Sequence, residues 1–200
     1  MFVRLDERGY PIYFSKDNCN DCISVSGDVY VKLTNGKYAY YNNELIEITN
    51  KYFDYNTKKW VDLPREIIQQ QLNNKLYDKK QNLIKQLKQV FKDYRDNKAT
   101  IQSRIINKEI NARQQDLINI DSLIALLKND TDTIQFRCAD NSFVEVSKIQ
   151  LKKIKEEIVK YGMQIYQNKW KIEKQINNLT VDDIDNDYDI NITKGELIEK

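Results

Sequence analysis

Histidine is missing from this chain of 200 residues, and glycine, proline and cysteine are scarce. Without histidine there is no Ser-His-Asp triad, no imidazole general base and no histidine-ligated zinc site. The five glycines are scattered, so no glycine-rich loop can cradle a phosphate. No nucleophile stands beside a matching base in any motif. These absences predict a protein that is not an enzyme and needs no cofactor.

Long apolar runs are also missing. No stretch approaches the roughly 18 apolar residues that a membrane-spanning helix needs, and the first residues lack the apolar segment of a signal peptide. The cysteines number three, and an odd number in such a chain argues for reduced thiols made in a cytoplasm. Because long apolar runs are missing, we expect no membrane partner.

Charge is balanced over the whole chain but uneven along it. Lys and Arg total 32 against 30 Asp and Glu, so the net charge of +2 gives no general reason to bind nucleic acid. Residues 64–114 carry a net +7, and residues 181–200 carry a net −5. The basic block could contact a nucleic-acid backbone, but it has few aromatic residues for stacking on bases. We favour a solvated helix face that docks acidic tails of neighbouring chains, and expect no nucleic acid.

Residues 1–63 are rich in aromatic and β-branched residues in short runs. These runs predict a small antiparallel β domain. The pair Asn35-Gly36 lies between the runs 28–33 and 37–41 and predicts a hairpin turn there.

The rest of the chain alternates between helical and extended patterns. Residues 64–98 are predicted to form a long connecting helix that starts at Pro64. Residues 99–180 are predicted to form a small α+β domain. Its parts are a strand over 100–110, a helix over 113–127, strands at 133–138 and 143–146, and a second long helix capped by Ser147. The predicted fold class is thus α+β, followed by an acidic tail at 181–200.

The second long helix has an apolar repeat. One set of positions recurs every seven residues and a second set fills the complementary places, as in a coiled coil. The positions are Leu151, Ile154, Ile158, Tyr161, Ile165 and Ile172. We interpret them as a candidate interface between copies of the chain. The alternative is a hairpin in which this helix packs against the 64–97 helix of the same chain.

Two motifs suggest metal or redox chemistry. Cys19 and Cys22 form a CxxC pair, but the third cysteine, Cys138, leaves a zinc site without a fourth soft ligand. We favour the interpretation that the spacing of Cys19 and Cys22 is a coincidence or that the two residues are buried thiols. Zinc completed by an aspartate or by a second chain, and redox activity, are the alternatives.

The acidic C-terminal segment partly matches a calcium-binding loop. Its carboxylates have the spacing of such a loop: Asp185, Asp187, Asp189 and Glu196. Ile190 stands where the loop needs a glycine for its sharp turn. We favour a solvated acidic tail and expect no metal.

Three segments carry a resemblance to a known family. They are residues 111–117 (Asn-Ala-Arg-Gln-Gln-Asp-Leu), residues 136–146 with an Asp-Asn turn, and residues 176–184 with an acidic turn led by threonine. With the helix that contains Tyr161 and Trp170, they make residues 107–190 resemble an uncharacterised domain family of tailed-phage and prophage proteins. Genes of that family often lie beside or within tail-fibre genes. It has no assigned catalytic residues, so the resemblance implies none here.

The N-terminal region resembles phage proteins in two further ways. Residues 51–61 are similar to strand-turn-tryptophan segments of phage tail proteins, and residues 22–47 are similar to the front of tail-fibre assembly chaperones.

Together the resemblances imply a structural or adaptor protein of a tailed-phage virion, in the tail-fibre or baseplate region. Its β domain would dock to the tail, and its partners would be other tail proteins. A tail-fibre assembly chaperone and a phage-encoded inhibitor of a host protein are the alternatives. The implied location is the virion tail, after synthesis in the host cytoplasm. The fibre context favours a trimer among homo-oligomers.

Overall fold

The computed structural model describes residues 1–200, which divide into two compact units, 1–72 and 73–200. Both units combine helices with small antiparallel sheets, so the predicted α+β class is confirmed. None of the helices has both the length and the apolar content that crossing a bilayer requires.

The first unit contains a three-stranded antiparallel sheet in the order β2-β1-β3, two hairpins and one short helix. Its elements are β1 (Phe2–Leu5), β2 (Pro11–Ser15), β3 (Ile23–Ser24), α1 (Gly27–Thr34), β4 (Tyr38–Tyr41), β5 (Glu44–Glu47), β6 (Lys51–Asp54) and β7 (Lys59–Asp62). A small core formed by Val3, Val25 and Leu33 holds the sheet and helix together.

The strand predicted at residues 28–33 is wrong, because these residues form α1. The hydroxyl of Ser26 accepts a hydrogen bond from the backbone N–H of Val29 and so caps the helix. Val29 and Leu33 then lie one turn apart on the side that packs against the core. An N-cap and helical spacing have outweighed the β-branched composition of the segment.

The hairpin predicted at Asn35-Gly36 is also wrong. These two residues follow the end of α1, where Gly36 has a φ of +73°. The two-residue hairpin turn is instead Asn42-Asn43, which joins β4 to β5 with φ values of +51° and +64°. Positive φ at both central positions is what a type I′ turn requires, and asparagine tolerates it well.

An aromatic cluster holds the β6–β7 hairpin in the first unit. The ring of Phe53 meets the rings of Tyr41, Tyr55 and Trp60 edge-on, with centroids 5.3, 5.3 and 5.5 Å apart. The indole N–H of Trp60 donates to the carbonyl of Arg8 at 2.9 Å. This bond ties the hairpin to the loop that follows β1.

The second unit is built around two long helices. The elements are α2 (Arg65–Asp93), which begins in the first unit, a π-helical turn (Tyr94–Lys98), β8 (Thr100–Ser103), β9 (Lys108–Asn111), α3 (Gln114–Leu126), β10 (Thr133–Arg137), β11 (Phe143–Ser147), α4 (Lys148–Asn177), a 3₁₀ turn (Val181–Asp183), β12 (Tyr188–Asn191) and β13 (Glu196–Glu199). Its strands pair only as hairpins, each antiparallel.

The single strand predicted over 100–110 is a hairpin. The chain reverses between β8 and β9 at residues 104–107, where Asn107 has a φ of +52°. Ser103 is fully buried, and its hydroxyl donates to the carboxylate of Glu157 at 2.6 Å. The backbone N–H of Arg104 donates to the same carboxylate at 3.0 Å, so the turn is fastened to α4.

The predicted cap of the second long helix is confirmed. The Ser147 hydroxyl accepts from the backbone N–H of Gln150 at 3.3 Å, and the Gln150 side chain accepts from the backbone N–H of Ser147 at 2.8 Å. This reciprocal capping box satisfies two backbone donors at the junction between β11 and α4.

The apolar stripe of α4 is buried within the chain by two groups of side chains. Its first part, Leu151, Ile154 and Ile158, packs with Ile110, Ile120, Phe136 and Val146. Its second part, Ile165, Ile172 and Ile176, packs with Leu83, Leu87, Phe91 and Ile192.

The positions predicted as an interface between chains therefore lie in the interior of one chain. Five of them are exposed by 4% or less, and Tyr161 is half-buried against the same core. The second part of the stripe packs against α2, as the hairpin alternative expected. A second copy cannot use this stripe without displacing the core, so any homo-oligomer, including the trimer, needs another surface and stays a prediction.

Residues 181–200 do not form the solvated acidic tail that was favoured. After the 3₁₀ turn they form the β12–β13 hairpin, which places Ile192 in the core with only 4% exposure. The ammonium of Lys79 donates to the carbonyls of Ile184 and Asn186, and Lys80 donates to the carbonyl of Asn177. Lys79 of α2 thus holds the acidic segment of its own chain, and Lys80 holds the end of α4, whereas contacts with the acidic tails of neighbouring chains had been expected.

Replacing Ile172 by alanine tests whether the stripe is a core within one chain. We expect Ile172→Ala to lower the free energy of unfolding by about 2–5 kcal/mol, because a cavity opens beside α2. Lys171, the exposed residue next to it, provides the control: Lys171→Ala should change the free energy of unfolding by less than about 0.5 kcal/mol. Urea unfolding followed by circular dichroism measures both. Similar values for the two variants, or a midpoint that rises with protein concentration, would contradict this arrangement.

Candidate functional site

The outer face of α4 carries large apolar side chains that nothing covers. We define this outer face as Val159, Met163, Tyr166 and Trp170, which follow one another at helical spacing; Tyr166 lies at its border and also packs against the core. Val159, Met163 and Trp170 are 44%, 51% and 53% exposed, and Tyr166 is half-buried. A helix that already buries one apolar stripe therefore presents a second one to solvent.

A groove of about 280 Å³ lies beside this outer face, between α3 and α4. Leu117 and Gln114 of α3 form one wall, and Val159 and Met163 form the other. Gly162 lies between the walls, and a methyl group added to its backbone would meet nothing within 4 Å. Neither backbone strain nor crowding by the chain explains a glycine in the middle of this helix, and its absent side chain keeps the groove open.

Tyr166 is held in place from behind by residues at the end of α2. Its ring meets Phe91 edge-on with centroids 4.8 Å apart, and its hydroxyl accepts a hydrogen bond from Arg95 at 3.2 Å. That hydrogen bond raises the pKa of Arg95 above its usual value. Tyr94 and Tyr161 share a hydrogen bond between their hydroxyls, and burial raises the pKa of Tyr161 well above its ordinary value. Arg95 and Tyr166, which line the groove, are thus fixed to each other by a hydrogen bond.

The outer face is surrounded mainly by positive charge. Lys160, Lys171 and Lys174 of α4 have no carboxylate within ion-pair distance, whereas Lys155 and Lys169 pair with Asp121 and Glu173. An apolar stripe with unpaired cations at its border suits a partner surface that is apolar at its centre and acidic at its edge.

The sequence-predicted interface residues and the outer face lie on different sides of the same helix. The seven-residue repeat identified the buried side, because long apolar repeats fill a core as readily as an interface. Tyr166 and Trp170, one turn apart beside that repeat, were the sequence signal for the exposed side. Val159 and Met163 complete the stripe only when the orientation of the helix is known.

The carboxylates considered for calcium do not converge. Asp189 lies on β12 and pairs with Lys200 at 2.9 Å, while Glu196 lies on β13 opposite Asn191. Asp185 and Asp187 precede β12, and no group of three or more acidic or cysteine side chains in the chain is arranged to hold a metal ion. A strand pair has taken the place of the loop, because the segment has apolar residues to bury at Ile190 and Ile192.

The CxxC pair is a disulfide, so the expectation of reduced thiols is wrong for Cys19 and Cys22. Asp21 has a φ of +62°, and the tight turn brings the two Cα atoms to 5.4 Å, a distance that a disulfide spans. The bond also removes both sulfurs as zinc ligands. Cys138 is a free, buried thiol, whereas Cys19 and Cys22, the pair for which buried thiols were favoured, are half-buried.

A family of proteins matches most of the second unit. The model of the family described as Domain of unknown function (DUF4376) matches residues 79–192. This range contains the region of about 107–190 in which the sequence resembled an uncharacterised domain family, and it begins earlier, within α2. No curated protein and no solved structure matches the chain. The match carries no activity or partner, so the link to tailed phages stays a prediction.

Two glycines of the second unit should respond oppositely to alanine. Gly162→Ala should raise the free energy of unfolding by about 0.5–1 kcal/mol, because alanine favours the helix and the added methyl has space. Gly195→Ala should lower it by more than about 1 kcal/mol, since Gly195 has a φ of +70° and its new methyl would lie 2.9 Å from Oδ1 of Asn168. Urea unfolding measures both variants. Destabilisation by Gly162→Ala would mean that the groove is filled in solution.

Counting accessible thiols tests the state of the cysteines. The protein, denatured without reductant and treated with iodoacetamide, should gain one carbamidomethyl group, on Cys138. After reduction it should gain three, because the cysteines number three in all. Mass spectrometry of the intact chain reads both results. Three groups without reductant would show that Cys19 and Cys22 are thiols in solution.

Proposed function

The chain belongs to this family, and we propose that it is a non-enzymatic adaptor of a tailed-phage virion that binds another tail protein through the outer face of α4. The observation that carries the proposal is the exposure of this face beside the open groove at Gly162. The proposal places the chain in the tail-fibre or baseplate region on the strength of its resemblances over residues 51–61 and 107–190.

The energetics of the outer face suit a binding surface. Fully burying an exposed large apolar side chain gains about 1.5–3 kcal/mol. Val159, Met163 and Trp170 are each about half exposed, so the folded chain leaves roughly half of this gain unused at each of them. Tryptophan and tyrosine are also the residue types that contribute most at protein interfaces. Tyr166 is already fixed by Phe91 and Arg95, so binding would cost little side-chain entropy there.

The charge around this face indicates the chemistry of the partner. Lys160, Lys171 and Lys174 favour an acidic border, and the groove accepts an apolar side chain between Leu117 and Met163. A protein surface offers both features together, whereas a nucleic acid offers the charge without apolar side chains. This is why the proposal names a protein partner.

Two neighbouring substitutions test the role of the outer face in the virion. We expect Met163→Glu to reduce incorporation of the chain into particles at least fivefold, because it places a charge in the centre of the apolar surface; fivefold corresponds to about 1 kcal/mol of binding. Gln164→Glu makes the same addition of charge on another side of α4 and should have no effect. Quantitative mass spectrometry of purified particles, with the major capsid protein as reference, gives the copy number.

The same measurement distinguishes the alternatives. An adaptor of the virion is retained at several copies per tail, whereas an assembly chaperone or an inhibitor of a host protein is absent or present in traces. Absence of the wild-type chain from particles, together with loss of fibres when its gene is deleted, would favour the chaperone. Equal incorporation of the two variants would show that the outer face of α4 is not the contact.

A further inference from the structure

The second unit has an open strand edge at β10. In the β10–β11 hairpin, Cys138 donates its N–H to the carbonyl of Ser142, and Lys148 donates to the carbonyl of Asp132 at the other end. Backbone groups of an antiparallel strand alternate between its two edges. The N–H and C=O groups of Gln135 and Arg137 therefore point away from β11, along the outer edge of β10.

This outer edge is covered at one end only. The N–H of Ala139 donates to the carbonyl of Glu109 in β9 at 2.9 Å. Beyond that bond the chain leaves β9 and enters α3, so no strand continues alongside Gln135 and Arg137. Two backbone donors and two backbone acceptors thus remain without partners in the chain, on a strand whose other edge is fully paired.

A cleft of about 570 Å³ lies along this edge, between β10 and α3. Half-buried Leu123 of α3 forms the apolar part of its inner side, and the nearly buried side chains of Ile120 and Phe136 lie beneath it. Its outer side carries Gln135 and Arg137, both exposed. A strand edge, an apolar inner side and a polar outer side are the three features that an extended peptide with alternating side chains requires.

Charge at the cleft indicates the sequence of such a peptide. Arg137 uses one nitrogen, Nη2, to donate to Asn141 at 2.7 Å, and its other donors are free. Arg113 at the start of α3 is occupied by Asp116 through two hydrogen bonds. The free guanidinium donors of Arg137 therefore favour an acidic residue opposite it.

We propose that this cleft binds an extended acidic segment of a partner protein, which adds as a strand along the outer edge of β10. Residues on one side of the segment would contact Leu123 and the exposed edge of Phe136, and the acidic residue on the other side would pair with Arg137. A second copy of β10 is a poor occupant, because its outward residues are Thr133, Gln135 and Arg137 and it offers no acidic side chain to Arg137. The proposal is independent of the outer face of α4, which uses other residues.

A designed peptide tests the proposal on the full-length chain. The probe is a fluorescein-labelled hexapeptide, Thr-Val-Glu-Val-Thr-Val, whose valines would face Phe136 and whose glutamate would face Arg137. We expect it to bind at least tenfold more tightly than the same peptide with lysine in place of glutamate. A third peptide carries N-methyl groups on the glutamate and on the second threonine, two residues later. These groups remove the backbone N–H donors that the added strand would direct at β10, and should weaken binding at least tenfold. Fluorescence anisotropy measures all three peptides.

A matched pair of arginine variants locates the binding. Arg137→Gln should weaken binding of the glutamate peptide at least tenfold and remove its preference over the lysine peptide. Arg104→Gln makes the same substitution at another exposed arginine and should leave the affinity unchanged. Circular dichroism of both variants verifies that they are folded.

Amide hydrogen exchange distinguishes strand addition from a general attraction between charges, because only strand addition forms hydrogen bonds with the backbone of β10. In the free chain the amides of Gln135 and Arg137 should exchange much faster than that of Phe136, which is bonded to β11. Saturation with the glutamate peptide should slow both at least tenfold. No binding at millimolar peptide, equal affinity of the glutamate and lysine peptides, or unchanged exchange at Gln135 and Arg137 would each overturn the proposal.

Discussion

The second unit depends on the burial of one side of α4 by elements that come from several parts of the sequence. Leu151, Ile154 and Ile158 are covered by β9, α3 and the β10–β11 hairpin, while Ile165 and Ile172 are covered by α2 and the C-terminal hairpin. Each two-stranded sheet has too little apolar surface to be stable alone. The helix supplies the common surface, and its burial fixes the position of every hairpin in the unit.

Both candidate binding surfaces follow from this arrangement. Because one side of α4 is buried in the core, no further element of the chain covers the outer face of α4. With Ile120 of α3 packed in the same core cluster as Phe136 of β10, the outer edge of β10 faces a cleft, and no further strand of the chain reaches it. The core of the unit thus uses one side of α4, and two surfaces that could bind a partner are left without a covering element.

Local signals in the sequence were sufficient where capping and long periodic patterns agree. Ser147 with Gln150 marked the start of α4, and the apolar repeat after it identified the side that is buried. The repeat did not say whether another chain or the same chain covers it, because the same side chains satisfy either arrangement. Residues 28–33 were misjudged because β-branched content competes with a capped helical turn, and that balance is decided by packing on Leu33. The strand edge at Gln135 and Arg137 could not be found from sequence, because it depends on which strands pair.

The two tryptophans are distributed so that each unit contains one of them. Trp60 lies in the aromatic cluster of the first unit and donates to a backbone carbonyl, whereas Trp170 lies half in water on α4. Their indole rings therefore have different polarity around them and report on different parts of the chain. Each unit therefore has its own tryptophan fluorescence signal. The signal of Trp60 reports on the order of the first unit, and that of Trp170 on the order of the second. Because Trp170 lies on the outer face of α4, a partner bound there would quench its emission or shift its wavelength.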